Sequence, residues 1–189
     1  MLVKNKKAII YIFIIFISLF SIFSQINSEI IKAQNLQELN GDKLTMEPLA
    51  ESQDQYLILA KGNALLKYNE MTIKGENAEF NTLKGSILFN NDIVFDSANY
   101  KMTGNKLTGN INDNRFIISG NSSFSSDNIE AESDKIIYNQ SEEMAYLEGD
   151  VKGQQNGREF SAKKISIDLS TEKIELSGNA KLIFPDKGE

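Results

Sequence analysis

The chain has 189 residues, enough for one domain, and contains no His, no Cys and no Trp. Those zeros exclude Cys/His zinc sites, Ser-His-Asp and Cys-His triads, disulfides and His-ligated haem, leaving carboxylates, Lys, Tyr and hydroxyls as the chemical groups on hand. A net charge of −6 disfavours general binding to nucleic-acid backbones, while 41% hydrophobic and 24% charged residues are the proportions of a folded chain.

Residues 1–28 have the layout of an export signal. Lys4, Lys6 and Lys7 precede Ala8–Phe23, sixteen uncharged and mostly apolar residues, and the polar stretch Ser24–Ser28 follows. Sixteen falls short of the roughly 20 residues that span a bilayer, so a cleaved signal helix is expected, with retention as a membrane anchor the alternative. Removing this segment deletes three lysines and no acid, which leaves a more acidic body. That body is placed outside the cytoplasm, in the periplasm of a two-membrane cell. Residues 29–43 read as a polar linker, with a helical turn as the alternative around Ala33–Leu39.

From residue 44 to the C-terminus the chain repeats with a period of 29. Gly62-Asn63, Asn91-Asp92, Gly120-Asn121, Gly149-Asp150 and Gly178-Asn179 fall on one comb, and their flanks agree. Four residues before each marker stand Ile58, Ile87, Phe116, Ala145 and Ile174, and two before stand Ala60, Phe89, Ile118, Leu147 and Leu176. Four after stand Leu66, Phe95, Phe124, Gly153 and Leu182. Residues between them are mixed or polar, so one face of each β-strand is buried. A second comb holds Leu44, Ile73, Met102 and Phe160, with small residues Gly75, Gly104 and Ala162 two positions on, which implies close backbone approach. The fourth pass is expected to slip by two residues at Ile129 and Ala131 and to recover by Ile136. Each pass is expected to hold three or four strands of four to six residues, with turns at Asn90-Asn91, Asn112–Asn114, Gly120-Asn121 and Asn156-Gly157.

Such a repeat stacks its passes, buries a continuous apolar strip and leaves its first and last strands as open edges. Lys173, Glu175, Lys181 and Pro185 protect the last edge, yet Leu176, Leu182, Ile183 and Phe184 keep it apolar enough to pair with another chain. An ordinary closed β-sandwich is the alternative architecture. Glu130 and Glu132 share a strand face about 7 Å apart, but acids pointing outward on an acidic protein are expected to be solvated surface. Neither catalysis, nor a metal, nor a cofactor is expected.

The stretches Gly-Asn-x-x-Leu-x-Tyr with Ile-Lys-Gly-Glu-Asn-Ala-Glu-Phe-Asn (62–81), Ile-Glu-Ala-Glu-Ser-Asp-Lys-Ile-Ile-Tyr-Asn (129–139) and Phe-Ser-Ala-Lys-Lys-Ile-Ser-Ile-Asp with Glu-Leu-Ser-Gly-Asn-Ala (160–168, 175–180) resemble the OstA-like family of lipopolysaccharide-transport proteins, of LptA type. The resemblance covers residues 44–184. It implies an all-β, slightly twisted, open β-jellyroll with no active site, whose V-shaped inside receives acyl chains and whose ends join neighbouring domains edge to edge. The implied partners are lipopolysaccharide, held by its lipid A chains, and other OstA-like proteins at the inner and outer membranes, with head-to-tail self-association and no nucleic acid. Exposing hydrocarbon costs about 0.8 kcal/mol per CH₂, so a carrier needs a continuous apolar path. Ile58, Leu66, Ile87, Phe89, Phe95, Phe116, Ile118, Leu147, Leu176 and Leu182 are the expected lining, though the same side chains would fill any β-core. An inner-membrane-anchored, LptC-like role and a non-transporting structural β-repeat are the alternative functions.

Overall fold

Alternating apolar residues bounded by Asn/Gly turns build one antiparallel meander. The computed structural model describes residues 36–49 and 54–185, so the expected signal or anchor segment and the first part of the linker lie outside the described residues. The strands, in order, are β1 (Leu36–Asn40), β2 (Lys43–Pro48), β3 (Tyr56–Tyr68), β4 (Met71–Asn81), β5 (Ser86–Asp96) and β6 (Tyr100–Asn110). There follow β7 (Arg115–Ser126), β8 (Ile129–Asn139), β9 (Met144–Gln155), β10 (Arg158–Asp168), β11 (Ile174–Ser177) and β12 (Lys181–Ile183). From β3 to β10 each strand pairs with its sequence neighbours. β1 and β2 both pair with β3, and β11 and β12 both pair with β10. The sheet does not close on itself: it is open, with an edge at either end.

Two expectations about the strands need correction. The central strands are 11 to 13 residues long rather than four to six, so each 29-residue pass holds two strands and not three or four. The Gly-Asn markers are also not turns. Gly120 (φ 82°) and Asn121 (φ 50°) sit inside β7, and Asn91 (φ 60°) and Asp92 (φ 51°) sit inside β5. In each case two left-handed residues oppose a single residue of the next strand, as the jump from Ser119↔Lys135 to Ser122↔Ser133 shows. That is a β-bulge, which bends a strand without ending it. The reason for the error is that consecutive left-handed residues make either a tight hairpin or a bulge, and the dipeptide does not say which. The turns expected at Asn112–Asn114 and Asn156-Gly157 are present.

Because the bulges recur in β3, β5, β7 and β9, they line up and crease the sheet into two leaves. The first leaf carries the N-terminal halves of the odd strands and the C-terminal halves of the even ones, and its tips are the turns 82–85, 111–114, 140–143 and 169–173. The second leaf carries the other halves, with tips at 69–70, 97–99, 127–128 and 156–157. The leaves face one another. Phe95 on the second leaf lies 5.7 Å from Phe116 and 5.3 Å from Tyr138, both on the first leaf, and none of these contacts is a ladder pair.

Two further corrections concern register. No two-residue slip occurs in the fourth pass: Ala131 occupies the comb position itself, buried, and pairs with Phe124 and Gly153. Part of the expected linker is a strand, β1, which satisfies backbone groups along β3 and places Glu38 in an ion pair with Lys67. The small residues of the second comb do mark close approach. A Cβ added at Gly104 would stand 2.6 Å from Ile118 Cγ2.

Candidate functional site

Successive repeats all contribute inward side chains to the space between the leaves. On the first leaf, ladder partners Ala78, Phe89, Leu107, Ile118, Ile136 and Leu147 form one uninterrupted cross-strand apolar row. On the second leaf, Ile73, Phe95, Met102, Phe124 and Ala131 form its counterpart. Strand alternation sends both rows inward, and all of these side chains are buried.

The ten expected lining residues divide into two groups. Leu66, Ile87, Phe89, Phe95, Phe116, Ile118 and Leu147 lie on β3, β5, β7 and β9 and are sealed, none more than 3% exposed. Ile58 and Leu176, at the two ends, are half-buried, and Leu182 is 46% exposed. Leu176 pairs with Ile165 and Leu182 with Phe160, so both share a face with buried side chains. Their exposure comes from standing at an edge. The interior is therefore filled by its own side chains centrally and runs out to apolar surface at both ends, where Leu44 (47%), Met46 (57%), Ile183 (42%) and Phe184 (65%) are also exposed.

One polar interruption is legible in the sequence in part. Ser122 is buried where neighbouring passes place Ile93 and Val151, its ladder partner Ser133 where they place Gly104 and Ala162, and the two hydroxyls donate to the carbonyls of Asp134 and Lys135. Both are satisfied, so the interior tolerates them.

Sequence reasoning missed the residues that join the tips of the two leaves, because nothing local says which turns face each other. Tyr68 O–H reaches the Ile111 carbonyl at 3.0 Å and Asn114 Oδ1 at 3.2 Å. Tyr100 and Tyr138 meet hydroxyl to hydroxyl at 2.6 Å. The Asn128 amide donates to the Glu172 carboxylate at 2.7 Å, and the Gln155 amide to the Glu172 carbonyl at 2.9 Å. Burial, then the bond with Tyr100, pushes the Tyr138 phenol well above its ordinary range. Charges elsewhere sit on the outer surface. Glu148 lies between Lys135 and Lys164, whose ammonium groups hold its carboxyl below the usual range. Glu130 and Glu132 are exposed, Glu130 accepting from the Gln154 amide at 2.8 Å. Among the described residues no group of His, Cys, Asp or Glu is arranged to hold a metal.

Comparisons with known proteins agree with this architecture. A family model described as LptA/(LptD N-terminal domain) LPS transport protein matches residues 116–173, which run from β7 through the β10–β11 loop. Among solved structures the chain is similar to LptH, the LptA-homologous periplasmic component of the conserved lipopolysaccharide transport device of Pseudomonas aeruginosa. The TM-score is 0.58 at 17% identity, over 61% of this chain and 95% of that one. No curated protein matches. The family match thus covers under a third of the chain, and the likeness to LptH shows a shared fold.

Proposed function

We propose that the β-repeat is a periplasmic carrier of lipopolysaccharide. It holds the lipid A acyl chains between its two leaves and meets neighbouring OstA-like domains at its open edges. The observation that carries this reading is the continuity of the interior. The same inward rows that are sealed at Phe95 and Phe116 emerge at Ile58 on one edge and at Leu176 and Leu182 on the other. A domain built only for stability has no use for a core that opens at both ends, whereas a hydrocarbon chain passed from one domain to the next needs that continuity. The likeness to a family of lipopolysaccharide-transport domains supports the ligand class and the compartment.

Adjacent positions on β11 test it. A photo-crosslinking residue at Leu176 faces the interior and should capture purified lipopolysaccharide, while the same residue at Glu175 faces outward and should not. Equal capture at both positions would show surface adsorption and end the carrier reading.

A further inference from the structure

Every backbone ladder among the described residues runs within one leaf, so along the seam the leaves are held by side chains alone. A cavity of about 630 Å³ sits on that seam. Ser97 and Asn99 flank it from the second leaf's tips, Gln140 and Ser170 from the first leaf's, and Tyr100 and Tyr138 lie at its base. Gln140 Oε1 is buried without a hydrogen-bond partner. Immediately behind the tyrosines lies the aromatic interior: Tyr100 stacks on Phe124 at 6.2 Å, and Tyr138 touches Phe95 and Phe116 at 5.3 and 6.1 Å. The two tyrosines, which line the cavity and touch these rings, thus stand between it and the packed apolar interior.

We infer that this seam cavity is a lateral port through which the acyl chains of an amphiphile slip between the leaves, closed at rest by the Tyr100–Tyr138 hydrogen bond. The inference rests on the lipid-carrier reading and goes beyond it, since that reading needs only the two open ends. Three features single out the cavity. The hydrogen bond across it is neutral, like those of Tyr68, with ring contacts from Tyr138 to Tyr100 and Phe95 beside it, whereas Glu172 anchors two amides further along. Its rim of Asn, Ser and Gln supplies neutral donors and acceptors suited to hydroxyl-bearing headgroups, and the orphaned Gln140 oxygen stands ready to accept one more bond. Glu70 and Glu143 on the rim repel a phosphate or carboxylate, so the apolar end of the ligand leads.

The absence of native cysteine makes a clean test available. In the full chain, Asn99→Cys with Ser170→Cys places one thiol on each side of the cavity, to be joined by a bismaleimide. Uptake of cis-parinaric acid, a fatty acid that fluoresces in apolar surroundings, is followed by stopped flow. The bridged protein should load at least about ten-fold more slowly than the same protein unbridged. Tyr138→Phe should load about five-fold faster than wild type, the value of a hydrogen bond near 1 kcal/mol. Equal rates with and without the bridge, or an unchanged rate in Tyr138→Phe should the double variant not fold, would overturn the port and place loading at the ends. A wild-type protein that takes up no probe at all would instead remove the carrier reading beneath it.

Discussion

Phe95 is fully buried and lies within 6 Å of Phe116 and Tyr138, on the opposite leaf. Truncating it leaves a hole bounded on two sides by sheets that cannot collapse independently. Phe95→Ala should therefore cost about 3–5 kcal/mol, and Leu182→Ala, at a site already 46% exposed, less than about 1 kcal/mol. Urea denaturation of the two variants checks this, and a small loss at Phe95 would mean the leaves already stand apart in solution. The inward set was legible at this scale because alternation fixes which residues share a face, and seven of the ten expected residues are sealed on β3, β5, β7 and β9. Alternation is blind to position within the array, however. Leu176 and Leu182 carry the same pattern as Leu66 and Leu147, yet they stand in the last strands, which no further described strand covers, and Ile58 meets on its outer flank only the short strand β2, through the exposed Met46. Tyr68, Tyr100 and Tyr138 were illegible for a related reason: their partners come from turns some 38 to 46 residues away, across a crease that only the assembled leaves define.

At each end of the meander two short strands share one long neighbour, β1 and β2 on β3 and β11 and β12 on β10. β11 has four residues and β12 three, both lean on β10 alone, and the tail beyond them leaves Phe184 65% exposed with the Arg158 guanidinium 6.0 Å from its ring centre. An apolar edge of this kind invites a second strand, and charged neighbours such as Lys181 only moderate it. Proline at Leu182 removes a ladder N–H and fixes φ, which should unseat β12 while sparing the long strands β3 to β10. Leu182→Pro is expected to abolish concentration-dependent association in sedimentation velocity, with the far-ultraviolet circular dichroism nearly unchanged. Undiminished association would move the contact to another surface. The crease shows what the sequence says about elements and what it withholds. The 29-residue comb located all five markers, including Asn91-Asp92 where glycine is missing, and each pair adopts positive φ. Whether such a pair reverses the chain or merely bends it depends on the strands on both sides staying paired, which is a property of the whole ladder.

For the molecule as a whole, the absence of histidine makes the dependence of stability on pH simple to derive. No side chain here has an ordinary pKa between about 5 and 8, so stability should stay flat across that range. On the acid side, Glu148 is held below its ordinary 4.5 by hydrogen bonds from Lys135 and Lys164. A carboxyl depressed in the fold contributes stability that is complete above 4.5 and fades as pH falls below it toward the folded value. On the alkaline side, burial and the Tyr100 bond raise Tyr138 above its ordinary 10.0. The folded state then holds the phenol proton more tightly than the unfolded state, so that contribution is complete below 10.0 and is lost as pH climbs past it. The alkaline flank should be the steeper, because Glu148 is on the surface and well hydrated while ionised Tyr138 would stand against Phe95 and Phe116. Thermal unfolding across pH 3–11 measures both flanks, with Glu148→Gln expected to flatten the first and Tyr138→Phe the second. Because the fold holds the Tyr138 proton well past its ordinary 10.0, the seam should stay shut at about pH 10–11 while the sheet is intact, and an apolar dye should bind only as the sheet is lost. A dye response that precedes loss of the sheet would mean that Tyr138 gives up its proton in the fold and that the seam opens independently of the strands.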